Sequence, residues 1–129
     1  MQTGSTEVLI ADDDVFLRLD LADRLRRRGF AVFRASDADH ALKIIEKHPS
    51  IAVVFTDLQM PGSMDGLELL HEVARRWPGK RLVLFSGYGH PSSYDMPPGT
   101  QFLSKPVSRA NLEQVLQNLP KAIVSPVVV

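Results

Sequence analysis

The chain has 129 residues, 44% of them hydrophobic and 23% charged, with 15 basic residues balancing 15 acidic ones. This is enough chain for one domain with a buried core, and a formal charge of zero leaves no basic footprint for nucleic acid or an anionic membrane. The absence of cysteine excludes disulfides, thiolate catalysis and cysteine-ligated zinc.

The apolar run Val8–Ala11 reads as a first buried strand, ending on Asp12, Asp13 and Asp14. Val15–Arg28 has helical spacing, with Phe16, Leu19 and Ala22 on one face as its core stripe and Leu21 and Leu25 flanking it. Gly29 then stops the helix after the basic run Arg26–Arg28. "FAVFRA" is a second strand, and Ser36 with Asp39 reads as a capping box for a helix that runs to about Lys47. "IAVVFTD" is a third strand, continuously apolar and β-branched, and again it ends on an aspartate. After the loop "LQMPGSMDG", Leu67–Trp77 forms a helix stopped by Pro78 and Gly79. "RLVLFSG" is a fourth strand and "QFLSKP" a short fifth, after which Ser108 caps a last helix over Asn111–Leu119. Between those two strands, "YGHPSSYDMPPGT" holds three prolines where the alternation calls for a helix, so a short or irregular one is expected. The division is an N-terminal extension (1–6), one domain (7–120) and a C-terminal tail (121–129). No secretory pattern opens the chain and no apolar run reaches membrane-spanning length, so a cytoplasmic protein is expected.

Alternating strands and helices, with strands apolar on both faces, imply an α/β fold: a parallel sheet covered by helices on each side. Five strands suit the doubly wound, flavodoxin-like order 2-1-3-4-5, whose ligands bind beyond the carboxyl ends of the strands at the switch point. Asp12 and Asp13 follow the first strand, Asp57 ends the third, Ser86 ends the fourth and Lys105 follows the fifth. Two like charges about 4 Å apart repel by about 4 kcal/mol at an effective dielectric near 20. Three converging carboxylates with a hydroxyl and an ammonium nearby therefore suit a divalent cation held by oxygen, and Mg²⁺ is the ion expected.

With those residues in view, the sequence resembles a response regulator receiver domain of two-component signal transduction. The resemblance rests on "VLIADDD", "VVFTDLQMPGSMDGLELL", "LVLFSGYG" and "FLSKPV", in that order, and spans roughly Val8–Leu119. It implies that Asp57 is the phosphoacceptor, taking its phosphoryl group from a histidine kinase. It also implies that Asp13 and Asp57 bind Mg²⁺ directly with the Gln59 backbone carbonyl, and that Asp12 acts partly through water. Lys105 would contact the phosphoryl group, Ser86 would hydrogen-bond it as part of the switch, and a cis peptide before Pro106 would aim the lysine. Gln59 and Tyr88 would tune hydrolysis. Three departures stand out. The loop "MPGSMDG" has one residue more than the commonest form, and the aromatic switch position is Phe102, which has no hydroxyl. The proline-rich segment alters the family's usual dimer face, so a monomer or weak dimer is expected.

Other residues have plainer readings. Asp14 reads as a helix cap rather than a ligand, and Asp65 shapes its turn and caps the following helix. His40, His48, His71 and His90 lack ligand spacing and carry no phosphotransfer role. Arg18 and its neighbours lie on the helix side where, by the resemblance, a kinase docks. The expected function is thus a phosphorylation-dependent switch, not an enzyme, acting on a downstream protein partner or phosphotransfer protein, with no nucleic acid and no membrane. The alternatives are the receiver module of a hybrid histidine kinase, a receiver that binds without phosphate, and a haloacid-dehalogenase-like phosphohydrolase. The last would need its nucleophile on the first strand and leaves "TDLQMPGSMDG" unexplained.

Overall fold

In the computed structural model, which describes residues 5–87, 91–92 and 95–119, the apolar runs become five parallel strands. They are β1 (Glu7–Ala11), β2 (Ala31–Ala35), β3 (Val53–Asp57), β4 (Arg81–Ser86) and β5 (Gln101–Ser104). The helices are α1 (Val15–Arg26), α2 (Ala38–Lys47), α3 (Gly66–Arg76) and α4 (Arg109–Gln117). The sheet order is β2-β1-β3-β4-β5, the doubly wound order expected. No helix lies between β4 and β5 among the described residues. Two turns, Asp95 N–H to Ser92 O at 2.9 Å and Thr100 N–H to Pro97 O at 3.1 Å, take its place. Buried Met96 anchors the segment to the core, and His71 of α3 meets the Asp95 carbonyl at 2.6 Å.

Strand alternation divides the core in two. Leu9, Val54 and Leu84 face α2 and α3, meeting Ile45, Leu69, Leu70 and Val73. Val8, Ile10, Phe55 and Phe85 face α1 and α4, meeting Leu21, Ala22, Leu25 and Leu112. Asp14 caps α1, accepting from the Phe16 and Leu17 N–H groups, and Asp65 caps α3 in a reciprocal box with Glu68. Ser108 caps α4, which starts at Arg109, two residues before the expected helix. At the end of α1, Gly29 adopts φ 92°, and the Gly29 and Phe30 N–H groups close onto the Arg26 and Leu25 carbonyls as a helix-stop motif.

Two expectations are corrected. The cap of α2 is Asp37, not Ser36: its carboxylate accepts from His40 N–H at 2.8 Å, because the helix begins one residue later than the Ser36 register requires. The core stripe of α1 is Leu21, Ala22 and Leu25: Ala22 is buried as expected, but its partners are the two flanking leucines and not Phe16 and Leu19. Phe16 is 84% exposed and Leu19 is exposed as well, because the helix buries side chains only from Leu21 onward, on the face that carries Leu21, Ala22 and Leu25. Leu25→Ala is therefore expected to cost about 2–5 kcal/mol through a cavity, whereas Phe16→Ala stays within about 0.5 kcal/mol. Urea unfolding of the two variants separates them; equal midpoints would restore the original stripe.

Candidate functional site

The strand register decides what meets at the carboxyl edge of the sheet. Ala11 pairs with Thr56, Asp57 with Phe85, and Ser86 with Ser104. Asp12, Asp57, Ser86 and Lys105 thus emerge along one line, with Asp13 one residue further out. Carboxylate oxygens of Asp12, Asp13 and Asp57 lie within 4.8 Å of one another. Lys105 Nζ reaches Asp57 Oδ1 at 3.1 Å and Asp12 Oδ2 at 3.6 Å, and it sits 5.2 Å from the centroid of the Phe85 ring. An open cleft of about 720 Å³ stands over them, walled by Asp13, Asp57, Gln59, Met60, Pro61 and Lys105.

The backbone fixes these groups. Lys105 N–H bonds Ser86 O at 2.9 Å, Leu58 N–H bonds Phe85 O at 2.9 Å, and the Lys105–Pro106 peptide is cis. Asp12 is 1% exposed and Asp57 7%. Burial pushes both carboxyls above their ordinary value of 3.8; against it work the Asp14 N–H and then Lys105 for Asp12, and Lys105 and then the Gln59 N–H for Asp57. Asp12 Oδ1 accepts from Asp14 N–H at 2.9 Å, but buried Asp12 Oδ2 has no hydrogen-bond partner. A buried, charged oxygen without a hydrogen bond, beside two more carboxylates and an open cleft, fits a divalent cation held by oxygen.

A carboxyl whose pKa is raised by folding makes its ionised form a cost to the fold. That cost is full above the folded pKa and fades as pH falls through it toward the unfolded 3.8. Asp12→Asn, which keeps the acceptor for Asp14 N–H, should therefore raise the melting temperature at pH 7 in metal-free buffer. The gain should vanish near pH 4. A melting temperature unchanged or lower at pH 7 would contradict the buried charge.

The structure also shows what sequence reasoning missed. Arg18 turns inward, its Nη1 donating to Asp12 O at 2.7 Å, so it braces the turn that carries the aspartates as well as lying on the α1 surface. Gly66 is packed so closely that a Cβ there would lie 1.8 Å from the Asp57 carbonyl oxygen. Both contacts run through backbone carbonyls, which leave no side-chain pattern to read. Of the other expected residues, Ser86 is buried at the end of β4 and Gln59 lines the cleft. Phe102 is partly buried against the α2–α3 side of the core, and Pro106 follows the cis bond. Tyr88 and His90 lie outside the described residues. Asp14 and Asp65 border the cleft but spend a carboxylate oxygen on their caps.

Residues 8–117 match the response regulator receiver domain. The chain belongs to that family. The receiver is 30% identical to the sensor kinase CckA of Brucella abortus over 121 residues, covering 91% of this chain and 13% of that protein. It is 37% identical over 84 residues to a putative response regulator, NtrX-like, of Rickettsia conorii, covering 64% of this chain and 18% of the other. The crystal structure of the receiver domain from the hybrid histidine kinase CckA matches with a TM-score of 0.76 and 32% identity, over 88% of this chain and 99% of that one. The chain thus spans less than a fifth of these two curated relatives. Receivers of this kind sit in both response regulators and sensor kinases, and they are signalling modules of two-component systems that take phosphate from histidine kinases. A phosphorylation switch is consistent with that membership, and the haloacid-dehalogenase-like alternative is not favoured. No helix among the described residues is long and apolar enough to cross a membrane.

Proposed function

We propose that this receiver is a switch phosphorylated on Asp57. The observation that carries the reading is the meeting of three carboxylates and one ammonium at the open edge of the sheet. An Asp57 carboxylate oxygen would attack the phosphorus of a phosphohistidine on a histidine kinase. The new P–O bond forms as the P–N bond breaks, and the histidine nitrogen leaves with the electron pair. Asp12, Asp13, Asp57 and the Gln59 carbonyl would hold Mg²⁺, whose chemistry is to neutralise charge on the transferring phosphoryl oxygens. Lys105, now 3.1 Å from Asp57, would follow the new charge onto a phosphoryl oxygen. Ser86, buried beside it, would hydrogen-bond the phosphoryl group and draw the end of β4 inward, with Phe102 repacking on the neighbouring strand. Pro106 would aim the lysine, and Gln59 and Tyr88 would tune hydrolysis.

The receiver proper would be residues 7–120, with an extension (1–6) and a tail (121–129). Its activity would be limited to its own phosphorylation and dephosphorylation, in the cytoplasm, as a monomer or weak dimer. It would act on a downstream protein or phosphotransfer protein, with neither nucleic acid nor membrane as its own ligand. The exposed stripe Val15, Phe16, Leu17 and Leu19 beside the cleft supports a protein partner arriving from the α1 side.

Intact mass after incubation with Mg²⁺ and acetyl phosphate tests the reading. One added phosphoryl group, or a beryllofluoride adduct, should form on the native chain and be absent in Asp57→Asn. An adduct that persists in Asp57→Asn moves the acceptor elsewhere, and no adduct by either route removes the phosphorylation reading.

A further inference from the structure

At the edge of the sheet opposite Asp57, the α2–β3 and α3–β4 loops flank a cleft of about 590 Å³, within the size range of small-ligand sites. Pro49, Trp77 and Pro78 give it apolar walls, and Arg76, Lys80 and Arg81 line it with no carboxylate among the lining residues. Part of this has a structural reason. Arg76 lies in the last turn of α3, where a cation favours the helix. It forms an ion pair with Glu46 and lays its guanidinium over the Trp77 ring at 4.4 Å. Lys80 Nζ donates to the Pro49 carbonyl at 2.7 Å and to the Ile51 carbonyl, joining the two loops.

The charges of Lys80 and Arg81 are not answered in this way. Neither forms an ion pair among the described residues. An ammonium has three donors, and the two carbonyls on Lys80 take two of them without cancelling its charge. Burial pushes Lys80 below its ordinary 10.5 against the pull of Glu7, so the hydration it loses outweighs what the nearby acid returns. Arg81 opens β4 as an exposed residue whose backbone N–H bonds the Ala52 carbonyl at 2.8 Å. Against these two charges stand Glu7, which also accepts from Ser50 Oγ at 2.6 Å, and the carbonyl end of α3, worth about half a charge. The cleft stays positive and gains from an anion that comes from outside.

The walls define the body that carries the anion. Arg76 and Trp77 already form a stack at the rim, and two proline rings add flat apolar surface, which suits a planar ring. Two unpaired cations suit one phosphate and not the many of a polymer. We propose that this cleft binds a small planar anion of the nucleoside monophosphate class. Its base lies against Trp77 and the prolines, and its phosphate meets Lys80 and Arg81. The cleft shares its strands with the carboxyl edge, since β3 runs from here to Asp57 and β4 to Ser86. Binding here needs no metal and no phosphoryl transfer, so it stands or falls separately from the chemistry at Asp57.

Trp77 is the only tryptophan of the chain, so its fluorescence reports on this cleft. The test is a titration of the full chain, without Mg²⁺ or phosphodonor, with adenosine monophosphate, adenosine and inorganic phosphate. Adenosine monophosphate should change the emission saturably, and the other two should bind about tenfold more weakly, each lacking one half of the contacts. Arg81→Ala should weaken adenosine monophosphate about tenfold and leave adenosine unchanged, with the melting temperature of the native chain. Asp57→Asn should bind as the native chain does. No saturable change, equal affinity in Arg81→Ala, inorganic phosphate binding as tightly as the nucleotide, or binding lost in Asp57→Asn would each overturn the proposal.

Discussion

Lys105→Ala is expected to lower the melting temperature at pH 7 in metal-free buffer by roughly 10 °C. Lys105 is the only cation in ion-pair contact with Asp12 and Asp57 among the described residues. Removing one partner of a buried ion pair leaves an uncompensated buried charge and costs about 3–5 kcal/mol. Partial exposure of the lysine brings this to about 2–3 kcal/mol, and a chain of this size loses roughly 4 °C per kcal/mol. The sign with pH follows from the carboxyls, which burial already holds above 3.8 despite the lysine. Without it their folded values rise further, so the loss is full at neutral pH and shrinks as acid protonates both groups. Melting curves at pH 7 and pH 4 read this directly. Lys105→Met, which keeps the aliphatic stem over Phe85, should behave like the alanine variant. If methionine restores native stability, or if the loss is equal at both pH values, the lysine acts by packing and not by charge.

Gly66→Ala is expected to be more damaging still, although alanine is the better helix former by about 1 kcal/mol. The added Cβ would lie 1.8 Å from the Asp57 carbonyl oxygen and 2.7 Å from its carbonyl carbon, a contact with backbone that no rotamer can relieve. Either α3 backs away, breaking the 2.8 Å bond from Gly66 N–H to Leu58 O, or the end of β3 moves and takes the Asp57 carboxylate out of line with Lys105. Overpacking of this kind costs roughly 1–3 kcal/mol and occasionally more, and a backbone clash belongs at the upper end. The expected outcome is a melting temperature lower by about 10 °C or more, together with weaker divalent-cation binding in any folded fraction, measured calorimetrically. A variant of native stability and native metal affinity would show that α3 does not approach Asp57 this closely.

The strands were legible because a buried parallel strand is written as an unbroken apolar run, as in Val53–Asp57, and because each run ends on a polar residue at the same sheet edge. That edge delivered Asp12, Asp13, Asp57, Ser86 and Lys105 together. The face of α1 was not legible: apolar residues occur all around its first turns, so the Phe16–Leu19–Ala22 spacing competes with the Leu21–Ala22–Leu25 face that packs on the sheet. Nor was the α2 cap, since Ser36 and Asp37 are both good caps and only the observed first turn chooses between them. The roles of Arg18 and Gly66 were hidden for a different reason. Each acts on a backbone carbonyl brought near by tertiary packing, and any residue type at the receiving position would present the same oxygen.

The strand order has a consequence for how the molecule comes off the ribosome. β1 is made first but needs β2 on one edge and β3 on the other, so its second edge stays open until β3 has been synthesised. By then Asp12, Asp13 and Asp57 are all present, while Lys105 waits for β5, the last strand of the sheet. A nascent chain halted before β5 therefore carries a cluster of acids with no lysine to offset it, and its partial sheet should form more readily in mild acid or millimolar Mg²⁺ than in neutral, metal-free buffer.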